Sequence, residues 1–283
     1  MRQSTAKDFL ASALRARRSI PKRLKRQAKP LRFEIAYLKW TLSLLKKYEL
    51  AMKARLHIAI PNILERAKER LRHDAESDAI EELFEQLEVY IGTIFDPDAL
   101  KARLFSIAED VGDFNADELN DQLRAVIGVD VVGGEPWLEE RLAAFAAENA
   151  SLISTIPERL HDEVAQATIR AIREGQSTDE LAEIIEERFG VAETRAAFIA
   201  RDQIASLNGE LNKERQTGLG VKQFVWRSSH DARVRPEHAE YDGQTYDWDD
   251  PPGEGYVPGE DYNCRCIGEP VLESAVDNTD DES

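Results

Sequence analysis

Apolar residues recur every three or four positions over most of the first 220 residues, which is the period of an amphipathic helix. This pattern predicts a helix from Pro30 to about Leu56, a second helix after Pro61 and a third from about Asp78. Two shorter helices are predicted near residues 97–110 and 116–127. The chain is therefore expected to be mostly helical up to residue 220.

Three glycines and a proline in the stretch Gly128–Pro136 predict a linker. Beyond it, Pro157 suits the start of a helix and Gly175 suits its end. The linker and the changes in charge and composition along the chain together predict five regions. They are a flexible basic tail (1–29), a helical N-terminal domain (30–127), a second helical part (137–220), a small β- and loop-rich module (221–272) and an acidic tail (273–283).

Helix signals continue up to residue 220. Ser177 and Glu180 have the spacing of a capping box, which predicts a short helix that closes at Gly190. A long helix is then expected over about Glu193–Gln216. Its polar residues could contact a partner protein, but we expect them to bond the loops of the module that follows, because buried polar groups must find partners. These residues are Arg195, Arg201, Asp202, Gln203 and Asn208.

After Gly220 the pattern no longer fits a helix. Phe224–Trp226 predicts a strand, and Asp242-Gly243 predicts a tight hairpin turn. Five of the eleven prolines and five of the fifteen glycines lie between residues 236 and 270, so many turns are expected. An aromatic core or a bound metal could hold such a segment together. The aromatic candidates are Trp226, Tyr241, Tyr246, Trp248, Tyr256 and Tyr262. The predicted fold class is mainly α with a small irregular β-rich C-terminal module (α+β).

Charge is distributed unevenly along the chain. Residues 1–73 hold 20 Lys and Arg against five Asp and Glu, whereas residues 74–283 hold 17 against 49. This asymmetry predicts a basic leader that contacts a polyanion or an acidic protein face; the alternative is a leader that folds back onto its own acidic body. The candidate DNA or partner contacts are Arg15, Arg17, Arg18, Lys22, Arg23, Lys25, Arg26 and Lys29.

Several classes of protein are excluded by composition. No run of about 18 apolar residues predicts a membrane span, and the N-terminus lacks the apolar stretch of a secretory signal. Two cysteines cannot build a disulfide scaffold, and no Gly-rich phosphate loop is present. We therefore expect an intracellular product with no membrane partner.

The two cysteines are separated by one residue, so on an extended segment both thiols point to the same side. Cys264 and Cys266 could then bind one metal ion, and His230 and His238 could complete a structural zinc site of the Cys2His2 type. Asp231 is a weaker candidate ligand. The alternative is a pair of reduced, partly buried thiols beside a solvent-exposed histidine.

Catalysis by the same residues is less favoured. A zinc-dependent hydrolase or nuclease would need an open coordination position and a base such as Glu237 or Asp231, whereas four ligands would close the site. A Cys264 nucleophile activated by His238 would need a cleft and an orienting third group. We therefore expect no enzymatic activity.

The segment from about Leu152 to Pro270 resembles the phage Mu F-like head-morphogenesis proteins, which are minor capsid proteins of tailed phages. Cys264-Arg265-Cys266 is the most specific of the motifs that carry the resemblance. The others are Glu174-Gly175-Gln176-Ser177, Glu180-Leu181-Ala182, Arg195-Ala196, Ile199-Ala200-Arg201-Asp202-Gln203, Asn208, Asn212, Gly218, Phe224-Val225-Trp226, the run Trp226–His238, Asp242-Gly243 and Pro258-Gly259.

The resemblance implies a protein present in few copies inside the head near the portal vertex, and in the host cytoplasm during assembly. It implies portal protein, major capsid or scaffold protein and packaged double-stranded DNA as partners. It also implies a role in procapsid assembly, in some phages an effect on DNA packaging or ejection, and a non-enzymatic core. Some relatives carry cysteines at the places of Arg235 and His238. In this chain position 235 is an arginine, and only position 238, a histidine, can still bind a metal. His230 would therefore have to supply the missing ligand. Because 17 residues follow Cys266, we expect no toxin domain of the kind that some relatives carry there.

Overall fold

The computed structural model describes residues 5–21, 23–70, 74–174, 176–253 and 255–276, without the side chains of residues 63–70, 74–79 and 178. The helices are α1 (Ala6–Arg15), α2 (Leu31–Arg70), α3 (Asp74–Ile94), α4 (Pro97–Ile127), α5 (Leu138–Arg173), α6 (Thr178–Gly218) and α7 (Pro236–Tyr241). The strands are β1 (Gln223–Arg227), β2 (Thr245–Asp247) and β3 (Ile267–Pro270), and a 3-10 helix spans Leu272–Ala275.

The fold class predicted from the sequence is confirmed. The chain is 69% helical, and its strands form one small antiparallel sheet near the C-terminus. The strand order is β2-β1-β3, with Phe224 opposite Tyr246 on one side and opposite Pro270 on the other. The expected strand at Phe224–Trp226 is therefore the central strand of this sheet.

Several predicted helix boundaries are wrong because the helices run through the residues that were expected to break them. Pro61 lies inside α2, Pro157 lies inside α5, and α6 continues through Gly190. The regions expected as two short helices form the single helix α4. A mid-helix proline or glycine costs about 1–3 kcal/mol, and burial of an uninterrupted apolar face can offset that cost. The apolar residues on either side of Pro157 and Gly190 are buried, namely Ile153, Ile156, Leu160, Phe189 and Ala192.

The capping box at the start of α6 is confirmed. Ser177 Oγ accepts a hydrogen bond from the Glu180 backbone N–H at 3.2 Å, and Glu180 Oε2 accepts one from the Ser177 N–H at 2.7 Å. Together these bonds satisfy two backbone donors at the helix terminus. Gly175, the expected end of the preceding helix, lies outside the described residues.

Replacing the capping residue tests this helix start. We expect Ser177→Ala to lower the free energy of unfolding by about 1 kcal/mol, because the Glu180 N–H loses its acceptor. Ser151→Ala, on an exposed position of α5, is the control and should change stability by less than about 0.5 kcal/mol. Urea unfolding followed by circular dichroism measures both. Equal effects of the two substitutions would contradict the assignment.

Two compact units are assembled from separate parts of the chain. The first unit contains residues 1–34, 106–145 and 201–283, and the second contains 35–105 and 146–200. The predicted linker at 128–136 lies within the first unit rather than between units. Its backbone is held there, because Asn120 Oδ1 accepts hydrogen bonds from the N–H groups of Val131 and Val132, each at 2.9 Å.

The N-terminal leader (residues 1–29) was expected to be a flexible tail, and the structure corrects this over its described part. α1 begins at a capping box formed by Thr5 and Asp8. Leu10 and Leu14, one helical turn apart, are buried in an apolar cluster of the first unit. That cluster also contains Leu119, Leu123, Val126, Leu219, Val221, Leu272 and Ala275. The many cations of the leader predicted a solvated tail, whereas burial of these two leucine side chains stabilises the helix.

In the helical core of the second unit, the buried hydroxyl groups of Tyr37 and Tyr48 are paired. Tyr37 donates a hydrogen bond to Asn149 Oδ1 at 2.8 Å, and Tyr48 Oη lies 3.1 Å from His161 Nδ1. Desolvation on burial raises the pKa of both tyrosines.

Among the described residues, no helix combines the length and the apolar character needed to cross a bilayer.

Candidate functional site

The sheet and its aromatic residues form the core of the C-terminal module. Phe224, Trp226 and Trp248 are fully buried, and the ring centroids of Phe224 and Trp248 are 4.2 Å apart. Tyr241 and Tyr246 pack against this cluster while partly exposed. The other two aromatic residues predicted for the core are exposed, at 43% for Tyr256 and 69% for Tyr262, because they lie in loops that face solvent.

The predicted turn at Asp242-Gly243 is present but joins α7 to β2 instead of linking two strands directly. Asp242 has φ −57° and ψ 126°, and Gly243 has φ 80°. The Gln244 N–H donates to the Tyr241 carbonyl at 3.0 Å. These values define a type II turn, whose third position requires the positive φ that glycine adopts without strain. The turn places α7, and therefore His238, beside β1.

Three of the four predicted metal ligands meet behind the sheet. His238 lies on α7, and Cys264 and Cys266 lie on the extended segment that leads into β3. His238 Nδ1 is 3.5 Å from the Sγ of Cys264 and 3.8 Å from the Sγ of Cys266. All three side chains are buried, and their potential ligand atoms lie within 4.8 Å of one another. The structure thus agrees with the expectation that both thiols point to one side.

The fourth predicted ligand, His230, is not part of this cluster. Its side chain is 56% exposed, its Nε2 lies 3.5 Å from Asp242 Oδ2, and its Nδ1 lies 3.2 Å from Ser228 Oγ. The residue has a left-handed backbone with φ 53°, which turns the chain after β1. The number of residues between His230 and the cysteines could not show that the chain turns at His230.

The surroundings of the two sulfur atoms favour a thiolate. The Cys266 backbone N–H lies 3.5 Å from Cys264 Sγ. Interaction with the neighbouring Cys266 thiol is the main cause that lowers the pKa of Cys264, and His238 and backbone N–H groups also lower it. The same thiol–thiol interaction raises the pKa of Cys266, so one proton is shared by the pair. A hydrogen bond from the Trp226 side chain opposes the rise in the pKa of Cys266.

The second nitrogen of His238 faces a carboxylate that the sequence analysis did not single out. Asp261 Oδ2 lies 3.6 Å from His238 Nε2 and also pairs with Arg235 at 3.0 Å. A carboxylate on this side favours the tautomer that carries its proton on Nε2, which leaves Nδ1 free to accept a bond. Asp261 is three residues before Cys264, so the same loop supplies both groups.

Cavities beside the cluster distinguish a metal site from a catalytic thiol. Cys264 and Cys266 line a cavity of about 10 Å³, which is about the space that one water molecule requires. The cavity of about 380 Å³ next to His238 is lined by the other face of the module, which includes Tyr241 and Asp261. The thiol side offers room for an ion or a water molecule, whereas a nucleophile would need space there for a substrate.

Arg265 connects the motif to the start of α2 and to the loop after β1. Its Nη2 forms an ion pair with the buried Glu34, and its Nη1 lies 4.0 Å from Asp231. Burial raises the pKa of the Glu34 carboxyl, and the Arg265 guanidinium opposes that rise. The pairing with Glu34 was not predicted, because Glu34 is more than 200 residues away from Arg265 in the sequence.

Of the five polar residues singled out on α6, Arg201 and Asp202 bond the loop before the cysteines, as expected. Arg195 instead donates to Thr155 Oγ1 in α5 at 3.2 Å. Asp202 Oδ1 accepts a hydrogen bond from the Asn263 N–H at 2.7 Å, and Arg201 donates to Asn263 Oδ1 at 3.3 Å. Asn263 has φ 52°, and these bonds stabilise that left-handed backbone. Asn208 contacts Asn115 at 3.0 Å instead of a loop of the module.

Two glycines allow α6 to touch the loop before the motif. A Cβ added to Gly209 would lie 2.6 Å from the Pro258 carbonyl oxygen, and one added to Gly259 would lie 2.9 Å from the Ala205 carbonyl oxygen. Backbone atoms cannot yield as the end of a flexible side chain can. The Pro258-Gly259 motif is therefore explained by a close approach of the loop to the helix.

This contact gives a second prediction. We expect Gly209→Ala to lower the free energy of unfolding by about 1–3 kcal/mol, since the loop must move away from α6. Gly190→Ala in the same helix meets nothing within 4 Å and should raise stability by about 0.5–1 kcal/mol. Chemical denaturation of both variants provides the measurement. A stabilised Gly209→Ala protein would show that the close approach does not exist.

The cations singled out in the leader divide into two groups. Three of them bond to the first unit: Arg15 donates to the Val276 carbonyl at 3.3 Å, Arg26 to the Ser228 carbonyl at 2.6 Å and Lys29 to the Ser229 carbonyl at 3.0 Å. These three acceptors are backbone carbonyls, and the Glu118 carboxylate accepts a hydrogen bond from the Ala28 N–H at 2.6 Å. The described part of the leader therefore folds back onto the rest of the first unit, which was the alternative expectation. Lys22 lies outside the described residues. The remaining cations are exposed, namely Arg17, Arg18, Arg23 and Lys25.

Fold and site together define a helical protein with a compact β module that carries a buried His-Cys-Cys cluster. Residues 162–268 match the model of the family described as Phage Mu protein F like protein. This match confirms the resemblance: the segment from the second half of α5 to β3 is a Mu F-like module. The family that this segment matches is generally structural.

A relative from Haemophilus influenzae, described as an uncharacterized protein, is 37% identical over 163 residues. The match covers 56% of this chain and 36% of the relative, so the chain spans little more than a third of that protein's length. No solved structure matches this chain.

Proposed function

We propose that this protein is a minor capsid protein that acts in phage head assembly beside the portal vertex, and that its leader contacts the packaged DNA. The observation that carries the proposal is the Mu F-like match over residues 162–268, the segment that contains α6, α7 and the cysteine motif. Portal protein and major capsid or scaffold protein are the proposed protein partners. The role is adhesive, and it requires no chemistry at the cluster.

The leader supports the DNA part of this proposal. Leu10 and Leu14 and the bonds from Arg26 and Lys29 anchor it to the first unit, so its other cations are presented from a fixed base. Arg and Lys contacts to phosphate are independent of sequence and weaken with salt. Such contacts suit a protein that meets whatever genome is loaded. Residues 74–283, which hold 17 Lys and Arg against 49 Asp and Glu, are repelled by DNA, so the contact is confined to the basic N-terminal part of the chain that includes the leader.

Incorporation into particles tests the assembly part. We expect mass spectrometry of purified phage heads to find this chain in a few copies per particle, and we expect a deletion of its gene to lower the yield of filled heads. Mature heads of normal yield that lack the chain would overturn the assembly role. A DNA-binding accessory protein predicts that outcome together with intact DNA binding.

Salt dependence tests the DNA part, using the full chain and random duplex DNA. Replacing four exposed leader cations with Gln should flatten the slope of log K against log salt by about 3–4, since each phosphate contact contributes about 0.9. The leader positions are Arg17, Arg18, Arg23 and Lys25. A control variant replaces four exposed cations elsewhere and should keep the slope; its positions are Lys101, Arg103, Arg159 and Arg170. Absence of binding by the unmodified chain in low salt would remove DNA from the proposal.

A further inference from the structure

The cluster of His238, Cys264 and Cys266 has the dimensions of a zinc site. In a tetrahedral centre with Zn–S near 2.3 Å and Zn–N near 2.0 Å, each sulfur lies about 3.6 Å from the nitrogen. The observed separations from His238 Nδ1 are 3.5 Å and 3.8 Å. A thiol–imidazole hydrogen bond accounts for one such separation, whereas one shared ion accounts for the meeting of all three ligand atoms.

We propose that this chain binds one zinc ion through His238 Nδ1, Cys264 Sγ and Cys266 Sγ, with a water molecule as the fourth ligand. The cavity of about 10 Å³ that both cysteines line has about the space that such a water molecule requires. His230, the fourth ligand expected from the sequence, is excluded because it is exposed and directed toward Asp242.

Asp261 is the positioning residue of this centre. Its carboxylate lies 3.6 Å from His238 Nε2, on the ring nitrogen opposite the ligand atom. Histidine ligands of zinc usually donate their second N–H to such a group, which fixes the ring and strengthens the bond to the metal. Arg235 Nη1 pairs with the same carboxylate oxygen, Asp261 Oδ2, at 3.0 Å.

A zinc ion would connect parts of the module that are otherwise held together by only a few short strands. β1 and β3 are separated by about 40 residues whose described regular structure is limited to α7 and the short strand β2. A bond from α7 to the segment before β3 closes this connection near its two ends. The ion therefore acts as a cross-link, and its binding free energy contributes to the stability of the module. This inference concerns the isolated chain, so it can fail while the assembly role stands.

Metal content of the full chain tests the proposal. Protein expressed in zinc-supplemented medium and dialysed should contain about one zinc per chain by elemental analysis, and Co²⁺ exchanged into the site should show charge-transfer absorption from two thiolates. Cys264→Ser and Cys266→Ser should each lose the metal. His230→Ala is the matched control and should retain it. Zinc-free protein whose two thiols react freely with a thiol reagent, or iron or copper in place of zinc, would overturn the assignment.

Two further variants guard against simple misfolding. His238→Cys supplies a third thiolate and should keep zinc while adding a third sulfur to the Co²⁺ spectrum. Asp261→Asn should weaken zinc affinity about 10- to 100-fold in competition with a chromogenic chelator, without loss of helical circular dichroism. Unchanged affinity in Asp261→Asn would refute the positioning role. Unchanged cobalt absorption in His238→Cys would refute His238 as a ligand.

Discussion

Arg265→Met is expected to lower the free energy of unfolding by about 3–5 kcal/mol, because it leaves the buried Glu34 carboxylate without its cation. Side-chain exposure is 20% for Arg265 and 9% for Glu34, so water replaces the lost partner poorly. Arg124→Met is the control, since Arg124 and its partner acids are about half exposed and the loss should stay below about 1 kcal/mol. Denaturant unfolding measures both.

The double variant Arg265→Met with Glu34→Gln separates the ion pair from general damage to the motif. Removing the charge at position 34 should restore at least half of the stability that Arg265→Met loses, since no buried carboxylate remains. Additive losses in the two single variants and the double variant would contradict the pairing.

The effect of Arg265→Met should also depend on pH. Burial raises the pKa of Glu34 above its ordinary 4.5, and removing Arg265 should raise this pKa further. A raised pKa in the folded state means that protonation favours folding; this contribution is complete below about pH 4.5 and is lost as pH rises through the folded pKa. The stability difference between the unmodified protein and Arg265→Met should therefore shrink as pH falls from about 7 towards 4.5. A constant difference would exclude Glu34 as the cause.

Arg215→Met is the second substitution with a large expected effect, about 3–5 kcal/mol. The Arg215 side chain is 1% exposed and joins three segments of the first unit. It pairs with Glu135 at 2.7 Å, and donates to the Gly112 carbonyl at 2.8 Å and to Asn115 Oδ1 at 2.7 Å. Methionine fills a similar volume but leaves all three acceptors without this donor.

A surface arginine provides the comparison for this substitution. Arg141 is 40% exposed and pairs with Glu210 and Glu214 at 3.1 Å and 3.2 Å. Arg141→Met should cost less than about 1 kcal/mol, because solvent screens the pairs and hydrates the remaining carboxylates. Thermal unfolding of both variants is the measurement. Comparable losses would show that burial does not govern the strength of these pairs.

Local signals in the sequence predicted local structure well. The Ser177 and Glu180 spacing gave the start of α6, and the apolar run at Phe224–Trp226 gave the central strand. The same reasoning failed at Pro61 and Pro157, where the helices continue. A local breaker has a fixed cost, whereas burial of the neighbouring apolar face depends on the rest of the fold and is not visible in a short window.

By itself, the sequence determined the helical class, the β module and the pair of thiols on one side of an extended segment, because these follow from periodicity and from backbone geometry over a few residues. Tertiary structure alone decided which histidine meets the thiols, that Asp261 faces this histidine and that Glu34 pairs with Arg265. It also decided that the leader is anchored by Leu10 and Leu14. These contacts join residues distant in sequence or turn on one backbone angle, and so they depend on how the whole chain packs.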